Sequence, residues 1–319
     1  METIEKSVVI TGASSGIGRA SMSQMQEAGW RVFATVRKET DRDKLRSETN
    51  IYPVLMDVQD PASISLAAAE IKSQLNGRGL DGLVNNAGVG WVRPLEYASL
   101  RDLREIFEIN VFGQIAVAQG LLPSLRKVRG RIVNITSVGV NIAIPFGGLL
   151  NASKCAFGML SDTLRLEMHP FGVRVCAVEP GAISTPAVDK TLGDIEQVIA
   201  DLSADAQARY GDMLRTFARK AYAREKAGSS PDVVARAVHH ALTSARPKIR
   251  YRVGKHARLM ATLPKLIPES ILDALRLRMF GISAASENPR PSTGSGQAFS
   301  RKQHAGNRAP GRGASSRTA

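Results

Sequence analysis

The stretch Thr11-Gly12-Ala13-Ser14-Ser15-Gly16-Ile17-Gly18 sets three glycines and two serines between a short apolar, β-branched run and a helical pattern that reaches Glu27. Strand, glycine turn and helix in that order make an anion site. Backbone N–H groups at a helix N-terminus point at whatever lies there, and side chains would block its approach. A dinucleotide pyrophosphate suits such a site. Gly12 permits the sharp turn, Gly16 the close approach of the phosphates and Gly18 the packing of helix on strand. Ser14 and Ser15 add hydroxyl donors, and Ile17 belongs to the same cradle. The plainer alternative is a βα turn whose glycines serve conformation alone.

Further segments follow in order. Asp57-Val58 comes after a third apolar run, and Asn85-Asn86-Ala87-Gly88 ends a fourth. Asn110 stands in EINVFG, Ser137 in NITSVG, Lys154 in NASKCAFG, and Pro180-Gly181 with Thr185 in VEPGAIST. With the Gly-x-x-x-Gly-x-Gly spacing, these segments resemble the short-chain dehydrogenase/reductase family across residues 5–255. The resemblance implies an NAD(P)-dependent oxidoreductase with a Rossmann-type fold. It implies that Asp57 and Val58 meet the adenine, that Asn85, Ala87 and Gly88 line the cofactor groove, and that Pro180, Gly181 and Thr185 cover the nicotinamide. It assigns catalysis to Asn110, Ser137, Lys154 and a tyrosine. In that scheme the serine polarises the substrate oxygen. The lysine holds the nicotinamide ribose and lowers the tyrosine's pKa, and the asparagine with water links the lysine to solvent. It also implies a homodimer or homotetramer formed through helices near 101–126 and 150–168.

The tyrosine should stand four residues before the lysine, on one helix face with it. Residue 150 is a leucine, although Ser137 keeps the family interval of 13 residues to that position. A leucine neither donates nor accepts a proton, and no other tyrosine lies on this helix. Three readings stay open: a dinucleotide-binding pseudoenzyme with a sensing or scaffold role, slow turnover with another donor (Ser137, water or a lid residue), or a mutation or sequence error at position 150 of an ordinary enzyme. The cofactor has its own signal at Val36-Arg37-Lys38. An acid there would bind the ribose 2′-OH of NAD, whereas Arg37 suits a 2′-phosphate, which favours NADP(H) over NAD(H). The alternative is a solvated surface arginine.

Positioning these residues requires strands near 7–11, 31–36, 52–56, 80–84, 131–136, 173–178 and 249–253, alternating with helices. Near-continuous apolar strands alternating with helices specify an α/β fold: a doubly wound parallel sheet, Rossmann-type and three-layered. One long helix is expected over about 101–126. Residues 1–255 form the expected dinucleotide-binding domain, including a polar, helical, mobile lid at 185–228. Residues 256–283 form a basic helical extension broken by Pro264 and Pro268, and 284–319 a disordered tail. The net charge of +14 belongs mainly to the C-terminal end, since residues 246–283 carry +7, 284–319 carry +5 and the rest only +2. A specific nucleic-acid partner is therefore not expected. A basic amphipathic stretch at 255–280 reads either as a peripheral membrane contact or as a helix pair packed on the domain. The substrate pocket is expected near Ser137, Val138 and the lid, lined by Val140, Ile142, Ile144 and Phe146. Such a lining suits a lipophilic alcohol or ketone, and the alternative is that these residues are core. The resemblance to members acting on steroids and retinoids points the same way. Cys155 and Cys176 read as reduced, buried thiols, and no metal site is expected. The N-terminus lacks signal-peptide features and no stretch approaches 18 uninterrupted apolar residues, so a cytoplasmic location is expected.

Overall fold

A computed structural model describes residues 5–282. Seven strands, β1 (Ser7–Ile10), β2 (Arg31–Val36), β3 (Ile51–Leu55), β4 (Gly82–Asn85), β5 (Arg131–Ile135), β6 (Arg174–Pro180) and β7 (Arg250–Val253), form one sheet in the order β3-β2-β1-β4-β5-β6-β7. Every pairing is parallel. The expected doubly wound parallel sheet is thus what the chain forms, and the strand order reverses between β1 and β4.

The strand sequences explain the layering. Neighbouring residues point to opposite faces, so Val8 and Ile10 join one buried cluster while Val9 joins another; Val84 and Leu83, and Val133 and Ile132, divide the same way. On the first face lie α1 (Gly16–Glu27) and α10 (Asp232–Thr243), with Met22 and Met25 among Val234, Val238 and Ala241. On the second lie α3 (Pro61–Gln74) and α5 (Gly113–Lys127), which supply Ile64, Ile71, Val117, Leu121 and Leu125. Each such side chain contributes about 1.5–3 kcal/mol by leaving water. Pro61 opens α3, with the Asp60 carboxylate accepting from Ala62 N at 2.9 Å.

The single helix expected over 101–126 is divided. α4 (Leu100–Phe107) passes through a π turn at Glu108–Phe112 into α5. The extra residue breaks the 3.6 periodicity, a local effect that the apolar pattern does not register. The run Leu100–Lys127 is long and apolar enough to cross a bilayer, but half of its apolar window is buried in the fold. A short α2 (Glu39–Leu45), absent from the sequence reading, follows β2.

The long α6 (Gly148–Met168) follows β5. Residues 185–228 hold α7 (Pro186–Val188), α8 (Ile195–Ala200) and the 23-residue α9 (Ala204–Lys226). Despite its polarity, α9 carries an apolar stripe, Ala206, Leu214, Phe217 and Ala221, which builds a third cluster with Val92, Ile199 and Phe280. The extension comprises α11 (Ala257–Thr262) and α12 (Glu269–Phe280), separated at Pro264 and Pro268. α12 buries Leu272, Arg276 and Phe280, one face at i, i+4 and i+8, and the Phe280 ring lies 5.0 Å from that of Phe217. The tail at 284–319 lies outside the described residues.

Candidate active site

The glycine turn sits where the strand order reverses, the place where ligands of doubly wound sheets bind. Thr11 N donates to Val84 O at 3.0 Å and Ala13 N to Thr35 O at 3.0 Å, so the turn is pinned to both neighbouring strands. Gly12 has a φ of +65°, and a Cβ there would meet Ala87 Cα at 3.0 Å. At Gly18 a Cβ would stand only 2.2 Å from Gly12 O, so no side chain fits between helix and turn. Ser15 is the N-cap of α1, yet its side chain makes no capping bond and the first turn carries no acid. The first-turn N–H groups and the positive end of the helix dipole are therefore left to an incoming anion. Thr185 comes against the same turn, its Cβ 3.4 Å from where a Cβ on Gly16 would lie.

A polar scaffold fixes the opposite wall. Thr11 Oγ1 accepts from Asn86 N at 2.8 Å and Ala87 N at 2.9 Å, and Asn86 Nδ2 donates back to Thr11 O at 2.9 Å. Asn110 lies in the π turn, fully buried. Its Oδ1 accepts from Val89 N, and its Nδ2 donates to Val89 O and to Ser153 Oγ, at 2.9–3.0 Å. Gln114 Nε2 donates to Ala87 O at 2.9 Å. Thr11, Asn86, Gln114 and Ser153 escape the sequence reading. Thr11, Asn86 and Gln114 bond to backbone groups tens of residues away, and Ser153 accepts from the distant Asn110 side chain; no local spacing encodes that.

Lys154 projects from α6 into this corner and is only 9% exposed. Its Nζ donates to Ile135 O at 3.0 Å, and a Cβ on Gly88 would lie 3.4 Å from Nζ and 3.1 Å from Asn110 Oδ1. Gly88, Asn110 and Lys154 thus meet at one point. Burial pushes the ammonium down to about 8. Ser137, after β5, accepts from Gly139 N at 3.0 Å, and a Cβ on Gly139 would fall 3.2 Å from Ser137 Oγ and 2.7 Å from Asn151 Oδ1. Asn151 Nδ2 donates to Ile142 O at 2.8 Å and ties the Ser137 loop to α6. Leu150 stands one turn before Lys154, half-buried, with Cδ2 3.3 Å from the Cβ position of Gly90; Thr191 Oγ1 donates to Gly90 O at 3.2 Å.

The remaining candidates occupy distinct places. Asp57 Oδ1 accepts from Gln59 N at 3.0 Å, and Val58 is buried beside it. Arg37 is exposed just past β2, with no acidic partner among the described residues. Pro180 ends β6, and Gly181 N donates to Val253 O at 2.8 Å. Asn85 is buried beneath the groove, where Nδ2 donates to Asn134 Oδ1 at 2.9 Å; it fastens β4 to β5 and presents no side chain to a ligand. Val140, Ile142 and Ile144 line a cavity of about 390 Å³ with Asn151, Pro264 and Arg276. Phe146 stacks instead on Phe217 and Tyr210, 5.4 and 6.1 Å between ring centres. Of the two thiols expected to be buried, Cys176 is, but Cys155 is exposed on that cavity, because α6 turns this face outward.

An uncapped helix end, a glycine cradle that a Cβ would fill and a buried ammonium with spare donors together fit a nicotinamide dinucleotide. The family model described as short chain dehydrogenase matches residues 6–195. The chain belongs to that family. Among curated relatives, it is 35% identical over 278 residues to retinol dehydrogenase 5 of Homo sapiens, covering 84% of this chain and 86% of that protein. It is 35% identical over 288 residues to 17-beta-hydroxysteroid dehydrogenase type 6 of Rattus norvegicus, covering 85% and 87%. A solved short-chain dehydrogenase from Streptomyces avermitilis superposes with a TM-score of 0.65 at 29% identity, covering 88% of this chain and 96% of that one. Membership makes the chain an oxidoreductase of the short-chain dehydrogenase type.

Proposed function

We propose that this protein transfers a hydride between NADP(H) and the carbonyl or alcohol of a lipophilic substrate, at a rate limited by Leu150. The observation that carries the reading is the meeting of Asn110, Lys154 and Gly88 beside the Ser137 loop, at the strand-order reversal that also holds the glycine turn. The dinucleotide, held by the α1 N-terminus and Lys154, supplies the hydride when bound. Ser137 Oγ binds and polarises the substrate oxygen, and Asn110 keeps the 87–89 wall in place. Arg37 supports NADP(H). Ala13 N on Thr35 O brings the end of β2 against the glycine turn, and Glu39, the acid next in sequence, pairs with Arg42. Relatives named for retinol and hydroxysteroids support a lipophilic substrate.

A second reading, a dinucleotide-binding protein with little turnover, is favoured by Leu150 alone. Fluorescence titration with NADPH and NADH, followed by turnover of retinoid and steroid ketones, separates the two. Tight NADPH binding with measurable turnover supports the enzyme, binding without turnover supports the second reading, and no dinucleotide binding overturns both. Two features of the surface extend the proposal. Leu259, Leu266 and Ile271 are 54%, 80% and 52% exposed near Arg258, Lys265 and Arg278, which suits an anionic membrane surface. Phe112, Met159 and Leu166 are exposed on the π turn and α6, which suits a homodimer or homotetramer. Vesicle flotation and analytical ultracentrifugation test these in turn.

A further inference from the structure

The loop that follows β4 is bonded to every element around the Leu150 corner. Asn110 holds both backbone groups of Val89, at 2.9 Å each. Arg93 N donates to Phe146 O at 3.0 Å, which ties the loop to the segment after Ser137. Val92 is buried in the cluster that the lid builds with Ile199, Leu202 and Leu214. Gly90 stands between these points. A Cβ there would lie 3.3 Å from Leu150 Cδ2, and 3.6 Å from both Cγ2 and Oγ1 of Thr191. Leu150 of α6 and Thr191 of the lid thus meet at one backbone position, where a glycine leaves room for both.

Thr191 reaches Gly90 because the lid departs from regular helix there. A π turn at Asp189–Gly193 follows α7. Its wider ring re-aims side chains out of helical register, as the π turn of Asn110 does on the other side of the same loop. The two π turns grip consecutive residues, Val89 and Gly90. On its outer side the lid turn is anchored to α9, since the Asp189 carboxylate accepts from Tyr222 Oη at 2.8 Å and from Lys226 Nζ at 2.9 Å. On its inner side the Thr191 hydroxyl donates to Gly90 O at 3.2 Å. Farther along, Arg93 Nη1 donates to Val198 O at 3.0 Å and holds α8.

We propose that Thr191 is a positioning residue of this site: its bond to Gly90 O seats the lid at the Leu150 corner and sets how tightly the substrate side of the site closes. This rests on the oxidoreductase reading above. Thr191 exchanges no proton and acts through the position of the lid. Apolar contacts such as Val92 on Ile199 hold the lid down, but they are not directional. A hydrogen bond fixes distance and angle, so Thr191 supplies the register that the apolar cluster lacks. The dinucleotide side of the lid is seated separately, by Thr185 against the Gly16 turn.

The test uses the full chain with NADPH and a lipophilic ketone. Thr191→Val keeps the shape of the side chain and removes the donor, whereas Thr191→Ser keeps the donor and loses a methyl group. A neutral hydrogen bond of this kind should be worth about 3–10-fold in KM for the ketone, raised in Thr191→Val, with kcat within about twofold of wild type. Thr191→Ser should hold KM within about twofold of wild type. NADPH affinity should stay within about twofold in both variants, because Thr185 and not Thr191 meets the glycine turn. Amide hydrogen exchange over 189–199 in the NADPH-bound chain should quicken in Thr191→Val and not in Thr191→Ser.

A role in stability alone would lower Tm and leave KM where it is. Unchanged KM in Thr191→Val, with or without faster exchange, therefore overturns the proposal while wild-type turnover keeps the oxidoreductase reading intact. An equal rise of KM in Thr191→Ser overturns it as well, since the hydroxyl is then not what matters. NADPH binding with no turnover of any ketone by the wild type overturns the oxidoreductase reading and this proposal together.

Discussion

Lys154 carries a cost whatever its role in turnover. Its ammonium is buried with a carbonyl and no counter-charge, and its proton is held at about 8 against 10.5 in an unfolded chain. Below pH 8 both states hold the proton, and the folded state bears the whole desolvation penalty. Between 8 and 10.5 the unfolded chain binds more protons, so stability rises with pH across that window. Lys154→Met should therefore stabilise the dinucleotide-free protein at pH 7, by about 1–3 kcal/mol. The gain should shrink as pH approaches 10.5, which paired melting curves at pH 7 and pH 10 will show. Lys154 and Ser137 are legible in the sequence because a short motif surrounds each. The burial that perturbs Lys154 is not, since it comes from β5, the π turn and the 86–90 loop closing together. Cys155 shows the converse error: an apolar neighbourhood in sequence is an exposed helix face in space.

At the scale of elements, the β1–turn–α1 unit is the most constrained part of the site. A Cβ at Gly18 would meet a backbone oxygen at 2.2 Å, and neither helix nor turn can yield without losing the N–H array. Gly18→Ala should weaken NADPH binding by about 10²-fold or more, read by fluorescence titration, and lower Tm with it, because the strain is paid in the same turn. The seven strands are readable because both sheet faces are buried, which leaves near-continuous apolar runs with abrupt ends. The π turn is not readable, since a five-residue change of helical register leaves the apolar pattern of 100–127 intact. Yet that turn sets Asn110 over Val89 and Ser153. The apolar stripe of α9 is likewise hidden among charged residues, and only its partners Phe146 and Phe280 expose it.

Across the whole molecule, a line of rings from Tyr97 through Tyr210, Phe146 and Phe217 to Phe280 joins the 95–97 turn, the loop after Ser137, the lid and the last helix. The loop after Ser137 is thus packed through Phe146 on a segment whose sequence reads as a polar lid, and that segment through Phe217 on the basic extension. Binding and proton transfer are separable in this architecture. On the proposed function, the glycine turn, Arg37 and Lys154 hold the dinucleotide, while position 150 decides how easily the proton moves. Leu150→Tyr tests that division directly, in turnover of a lipophilic ketone with NADPH measured beside NADPH affinity. The account predicts a rise in kcat of about 10²-fold or more with affinity essentially unchanged. A folded Leu150→Tyr variant that binds NADPH but reduces the ketone no faster than wild type would contradict it.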